Sequence, residues 1–251
     1  MASPKKKTNQ TVRSATTRQL KQVWALALQA FPERLSWQQA QYWIGHGSEL
    51  GAKIRAIFSA PASPIPNFDA LTPWVNFYCD EFGVELDPAT VHVPDPRPGF
   101  GQLIVVVPSI TVERVLEHCG KYFRVWRWTD ANLDECVEST RKAVTAPYAV
   151  WARCRIEADS EHQNKSYDVL QREGIVGITI LEYLLYHLIH LLVISTHLDP
   201  ATAVLCTGSL YRGGDVALAG WNADDGVLCV DRDGRDSTGG IVRVREVVPM
   251  P

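Results

Sequence analysis

The chain has 251 residues, 46% of them hydrophobic and 21% charged, which excludes a disordered, fibrous or collagenous protein. At this length folding buries roughly 70% of the surface of the unfolded chain, so neither disulfides nor a structural metal is required for stability. The formal charge of -3 hides an asymmetry: Lys5, Lys6, Lys7, Arg13, Arg18 and Lys21 meet no acid within the first 21 residues, and the remaining 19 basic and 28 acidic residues leave the body at -9.

Residues 1–18 therefore read as a basic flexible tail. Such an arm is attracted to polyanions and adds affinity without sequence specificity, so Lys5, Lys6 and Lys7 are candidate nucleic-acid contacts. No apolar run follows the lysines, which excludes a secretory signal.

Residues 19–58 read as a helical unit. Leu20, Val23, Trp24, Ala27, Leu28 and Phe31 recur at helical spacing until Pro32, and Ser36 with Gln39 forms a capping-box pattern ahead of Trp37, Ala40, Trp43 and Ile44. After Gly45-His46-Gly47 the helical pattern resumes from Glu49 to Phe58. This resembles a helix-turn-helix only superficially, since Lys53 and Arg55 are all it offers a DNA groove.

Residues 59–100 hold eight of the fifteen prolines and read as a connector. Within it Leu71 to Phe82 predicts a helix whose aromatic stripe, Trp74, Phe77, Tyr78 and Phe82, anchors onto the main core.

Residues 101–251 predict an α+β sheet domain. Leu103 to Val107 reads as a strand, Thr111 to Cys119 as a helix and Tyr122 to Trp128 as a strand, together a compact β-α-β unit. A polar helix over Asp130 to Val144 and a strand over Tyr148 to Ile156 follow. The apolar run Ile175 to Ile194 is long enough to span a bilayer, but Glu182, His187 and His190 within it favour a long buried helix on a sheet. Thr202 to Thr207, Val216 to Trp221, Val227 to Asp231 and Ile241 to Val248 predict a C-terminal antiparallel meander, with Asp225-Gly226 as a two-residue hairpin turn. Six or seven strands in one mixed sheet result.

Two constellations carry chemistry. In the first, Arg124, Trp126 and Trp128 share one face of their strand, and Trp151, Arg153 and Arg155 one face of theirs. Together they would form a platform that stacks bases and pairs phosphates, as single-strand nucleic-acid binders do. In the second, the carboxylates Glu157, Asp159 and Glu161 with His162 stand past a strand end, where they would hold a divalent cation and activate water. His197 and Asp199 would complete a metal set with Asp159 and His162. The same acids also suit a helix start, where they favour the dipole.

The six cysteines are widely spaced without a Cys-x-x-Cys pair, which nearly excludes a zinc knuckle and fits thiols in a reducing cytoplasm. Thr207-Gly208-Ser209 and Arg212-Gly213-Gly214 offer a glycine-bearing anion loop after a strand or a plain loop. Phosphate loops, dinucleotide fingerprints and nucleophile elbows are missing.

The ordered run Tyr148-Ala-Val-Trp-Ala-Arg153, Glu157-Ala-Asp159, Asn164-Lys-Ser166, Gly177-Ile-Thr179 with Leu181-Glu182, His197-Leu-Asp199 and Leu205-Cys206-Thr-Gly-Ser209 resembles an uncharacterised family of bacterial hypothetical proteins. The similarity covers residues 34 to 230, including Tyr42-Trp43-Ile44-Gly45 and Gly101 to Val107, and departs at Gly213-Gly214-Asp215 and the C-terminus. It implies a bacterial, cytoplasmic protein of one recurring architecture and attaches no substrate.

The sequence thus supports a non-catalytic nucleic-acid-binding protein, with DNA or RNA as partner, no required cofactor and no membrane association. A hydrolase or nuclease using a divalent metal is the first alternative. A protein-interaction or structural subunit whose exposed aromatics meet a partner chain is the second.

Overall fold

The computed structural model describes Gln41, Tyr42, Gly45 and residues 67–250, with side chains from Ala70 onward in the larger part. The basic tail, with Lys5, Lys6 and Lys7, and the helix-turn-helix-like segment lie outside the described residues apart from those three, which are helical. The chain divides into two units, Met1–Pro61 and Ala62–Pro251. The second unit holds all the strands among the described residues.

Its first helix, α1 (Asn67–Phe82), tolerates Pro73 within its first two turns and turns the aromatic stripe inward. Trp74 and Tyr78 are buried, and their Nε1 and hydroxyl donate to the carbonyls of Leu103 and Val105 at 3.0 and 2.7 Å. A buried aromatic with a polar atom needs such a partner, so two hydrogen bonds tie this helix to the strand beside it. The helix thus belongs to the core.

Beyond it come β1 (Gln102–Val106), α2 (Val112–Cys119), β2 (Arg124–Arg127), α3 (Leu133–Cys136), β3 (Val137–Ser139) and β4 (Tyr148–Ala152). There follow α4 (Tyr167–Arg172), α5 (Ile180–Ile194), β5 (Ala203–Tyr211), β6 (Val216–Asn222), β7 (Val227–Asp233), β8 (Val242–Arg243) and β9 (Val247–Val248). The strands form two sheets. One is antiparallel, ordered β1-β4-β9; the other is mixed, ordered β2-β7-β6-β5-β3, with β8 alongside β5. The α+β class and the antiparallel β5-β6-β7 meander stand as expected.

Four expectations are corrected. β1 and β2 lie in different sheets, so the expected β-α-β unit does not form. The polar helix over Asp130 to Val144 shrinks to α3, because Val137 leaves the helix to pair with Tyr211. The β6–β7 loop holds four residues, since Asn222 pairs with Val227, although Gly226 does supply the positive φ of 60°. Ile241 to Val248 is split between the two sheets, β8 joining β5 and β9 joining β4.

The central helix α5 is held at its start by a full capping box. Thr179 accepts from the Glu182 N–H, and the Glu182 carboxylate accepts from the Thr179 N–H. Leu184, Leu185 and Leu188 are wholly buried, each contributing roughly 1.5–3 kcal/mol by leaving water. Two glycines allow the segment before the helix to cross β5. A Cβ on Gly177 would sit 1.8 Å from Thr207 Oγ1, and one on Gly208 would sit 2.8 Å from Thr179 Cγ2. The run Thr207-Gly208-Ser209 is therefore part of β5 rather than an anion loop, and Ser209 Oγ accepts from the Ile180 N–H. No helix among the described residues is long and apolar enough to cross a membrane.

Candidate functional site

Of the residues read as a metal-dependent centre, the fold gathers two. Asp159 and His162, both buried around a 3-10 turn, meet Glu246, which arrives just before β9, and one ligand atom from each lies within 4.8 Å of the others. Glu246 was not anticipated. It lies more than eighty residues further along the chain, and its only signal is a charged pair, Arg245-Glu246, set between Val244 and Val247.

The other members go elsewhere. Asp199 forms a buried pair with Arg245, and Glu157 accepts from the Thr202 hydroxyl and the Ala201 N–H. Glu161 pairs with Arg155 at the surface, and that guanidinium pulls its carboxyl down to about 2. His197 lies flat on Trp221, centroids 3.3 Å apart, and hydrogen-bonds His187. The expected sets are corrected accordingly, because each carboxylate finds a nearer cation or backbone donor.

The Asp159, His162 and Glu246 group is already neutralised by arginine. Arg153 donates to Asp159 Oδ2 at 2.5 Å and to Glu246 Oε2 at 2.7 Å, and Arg97 donates to Glu246 Oε1 at 3.0 Å. Both guanidiniums lie over the Phe100 ring, 4.2 and 4.7 Å from its centroid. Burial works against the Glu246 charge, yet the hydrogen bonds from Arg153 and His162 hold its carboxyl below the usual range. Asp159 Oδ2 also accepts from the Glu246 N–H at 2.8 Å. Asp159 Oδ1 and His162 Nδ1 alone remain without a hydrogen-bond partner in the cluster, and Arg155 Nη1 stands 3.9 Å from Asp159 Oδ1. Two carboxylates paired with two guanidiniums keep little net negative charge to attract a divalent ion, although Asp159 Oδ1 and His162 Nδ1 offer it donor atoms. The group has the donor types of a metal site, with its charge matched by arginine.

The expected stacking platform divides. β2 belongs to the mixed sheet and β4 to the antiparallel one, so their faces are not joined. Trp151 is buried with Nε1 on the Pro94 carbonyl, Arg153 lies in the cluster just described, and Arg155 holds Glu161. Trp128 packs edge-on against Tyr211 and carries the Arg232 guanidinium 4.0 Å from its ring centroid. Trp128, Arg153 and Arg155 lie just beyond the ends of β2 and β4, and alternation does not say which strands are neighbours.

What remains is a stretch of the mixed sheet that no described residue covers. One face carries Leu228 and Val230 of β7 and Ala217 and Ala219 of β6 into the core with α5. On the other face Tyr167 and Leu170 of α4, with Val242 and Val244, cover Leu205 and Leu218. That cover stops short of β2 and β7. The register places Trp126 beside Cys229 and Cys229 beside Gly220, and in the next row Arg124 beside Val227 and Val227 beside Asn222.

Trp126, on the edge strand, is 47% exposed. Two adjoining grooves open here and share Asn222 and Cys229. One, of about 510 Å³, runs from Arg124 and Trp126 to Asp225; the other, of about 350 Å³, runs over Ala203 and Gly220 to Asp224, Asp231 and Ile241. Gly220 lets the Thr202–Ala203 backbone lie close, since a Cβ there would meet Thr202 O at 3.0 Å and Ala203 Cα at 3.2 Å, and with the small Ala203 and Cys229 side chains this gives an apolar floor. No family model matches the chain, and neither a curated protein nor a solved structure is similar to it.

Proposed function

We propose that this chain is a non-catalytic interaction protein that seats a partner chain on the uncovered part of its mixed sheet, at Trp126, Cys229 and Gly220. One observation carries the reading: a half-exposed tryptophan on an edge strand borders an apolar-floored groove that no described residue covers. Exposed aromatic anchors beside such grooves are the usual centres of protein interfaces. The hydrolase reading loses support because its acids are held by arginine and backbone donors. The nucleic-acid reading keeps only Arg124 and Trp126 of its strand residues, and the Arg124 guanidinium is already hydrogen-bonded to the Asp225 carbonyl.

A random peptide library displayed on phage and selected against the whole chain tests this. The selected peptides are expected to compete with one another and to lose binding to Trp126→Ala and to Cys229→Tyr, which fills the floor. Peptides that bind both variants as well as the parent chain would overturn the reading.

A further inference from the structure

The two grooves are unequal in charge. Among the residues lining them Arg124 is the single cation, against the carboxylates of Asp224, Asp225 and Asp231. None of these three acids enters an ion pair among the described residues. Asp225 accepts from the Asn222 side-chain amide, Asp231 from the Arg232 N–H, and the Asp224 carboxylate has no hydrogen-bond partner there. Elsewhere arginine claims its acids: Glu113 by Arg127, Asp215 by Arg232, Asp168 by Arg235 and Glu182 by Arg141. Arg124 makes no ion pair with the groove acids, its guanidinium donating to the Asp225 carbonyl.

On the interaction reading above, we infer that the partner is a protein segment that is both basic and apolar, an extended stretch in which Lys or Arg alternates with small aliphatic residues. The alternation matches the groove. Aliphatic side chains on one face of an extended segment meet the floor of Ala203, Gly220 and Cys229, while cations reach the carboxylates on the rim. The exposed Trp126 face adds attraction for a lysine or guanidinium group. The same rim repels phosphate, so a nucleic-acid strand is the wrong partner for this surface despite the tryptophan.

The experiment is fluorescence anisotropy of a labelled decapeptide alternating Lys and Val against the full chain, beside its Glu-for-Lys counterpart and a labelled dT12 strand, across a salt series. The Lys peptide is expected to bind at least about tenfold tighter than either control, and to weaken by about tenfold or more with Trp126→Ala and with the triple change Asp224→Asn, Asp225→Asn and Asp231→Asn. The amides are conservative, at two exposed positions and one half-buried one, and circular dichroism checks that the fold is kept.

Equal binding of the Glu peptide, dependent on Trp126, would overturn the cationic partner while leaving the groove reading in place. The same conclusion would follow if library-selected peptides needed Trp126 but held no excess of Lys or Arg. Binding of the Lys peptide that ignores Trp126 and the three amides, or no binding, would overturn the inference. Tight binding of dT12 dependent on Trp126 would overturn it in favour of single-stranded nucleic acid.

Discussion

Asp199 and Arg245 form a bidentate pair at 2.9 and 3.0 Å with both side chains almost wholly buried. Burial opposes the guanidinium charge, but Asp199, with the Tyr186 and Tyr183 hydroxyls near it, outweighs that and keeps its pKa above the ordinary arginine value. The carboxylate is completed by the Thr202 hydroxyl and the Ala158 N–H. Arg245 in turn donates to the carbonyls of Arg155 and Ile156. Asp199, expected in a metal set, thus pins with Arg245 the segment leading to β9 against the chain leaving β4.

Removing one partner strands the other. Asp199→Ala leaves a buried guanidinium uncompensated and is expected to lower stability by about 3–5 kcal/mol. Urea unfolding followed by circular dichroism measures it, and a loss under about 1 kcal/mol, the worth of an exposed pair, would contradict the assignment.

Gly177 is expected to be irreplaceable for steric reasons alone. Its φ is not in the left-handed region, yet a Cβ there would occupy the space of Thr207 Oγ1. Gly177→Ala should cost about 1–3 kcal/mol, and adding Thr207→Ala should return part of it by vacating that space. Additive losses in the double variant, by thermal or urea unfolding, would show that the two positions do not meet.

Stability should also fall with acid through His187. Burial, with the neighbouring His197, His190 and Arg245 charges, lowers its pKa from 6.5 to about 3. Between those values the unfolded chain binds a proton that the folded chain refuses, so the folded state is unpenalised above 6.5 and loses roughly 1.4 kcal/mol per pH unit as pH falls toward 3. His187→Gln keeps a side-chain hydrogen-bonding group toward His197 and does not titrate. Its stability should decline less steeply than the parent's from pH 6.5 to 4, and parallel slopes would remove His187 as the cause.

The guanidiniums around Asp159, His162 and Glu246 predict indifference to metal. Neither zinc nor magnesium at about a hundred times the protein concentration, nor a chelator, should move the melting temperature, because an ion that binds only the folded state must raise it. A fall on chelation, reversed by one metal and lost in Asp159→Asn, would restore the metal centre.

Much of the fold was legible in the sequence. The aromatic stripe of α1, the polar residues inside the apolar α5 and the spacing of β5, β6 and β7 each carry a period that hydrophobic burial imposes. The site was less so. Trp126 and Arg124 could be placed on one face of a strand from alternation alone, but whether Trp151 stood beside them depended on sheet order, which local pattern does not encode. Similarly, Asp159 and His162 were recognisable as a pair, whereas Glu246 reaches them only through the pairing of β9 with β4, and Arg153, just past the end of β4 that β9 joins, changes their chemistry.

The central claim is that the uncovered sheet around Trp126 is the working surface, and hydrogen–deuterium exchange of the full chain with and without a library-selected peptide tests it most directly. Protection confined to Arg124–Arg127, to the β6–β7 loop and to the backbone from Ala201 to Ala203 is the predicted result. Protection at Arg153, Asp159 and Glu246, with the β2 segment unchanged, would contradict it.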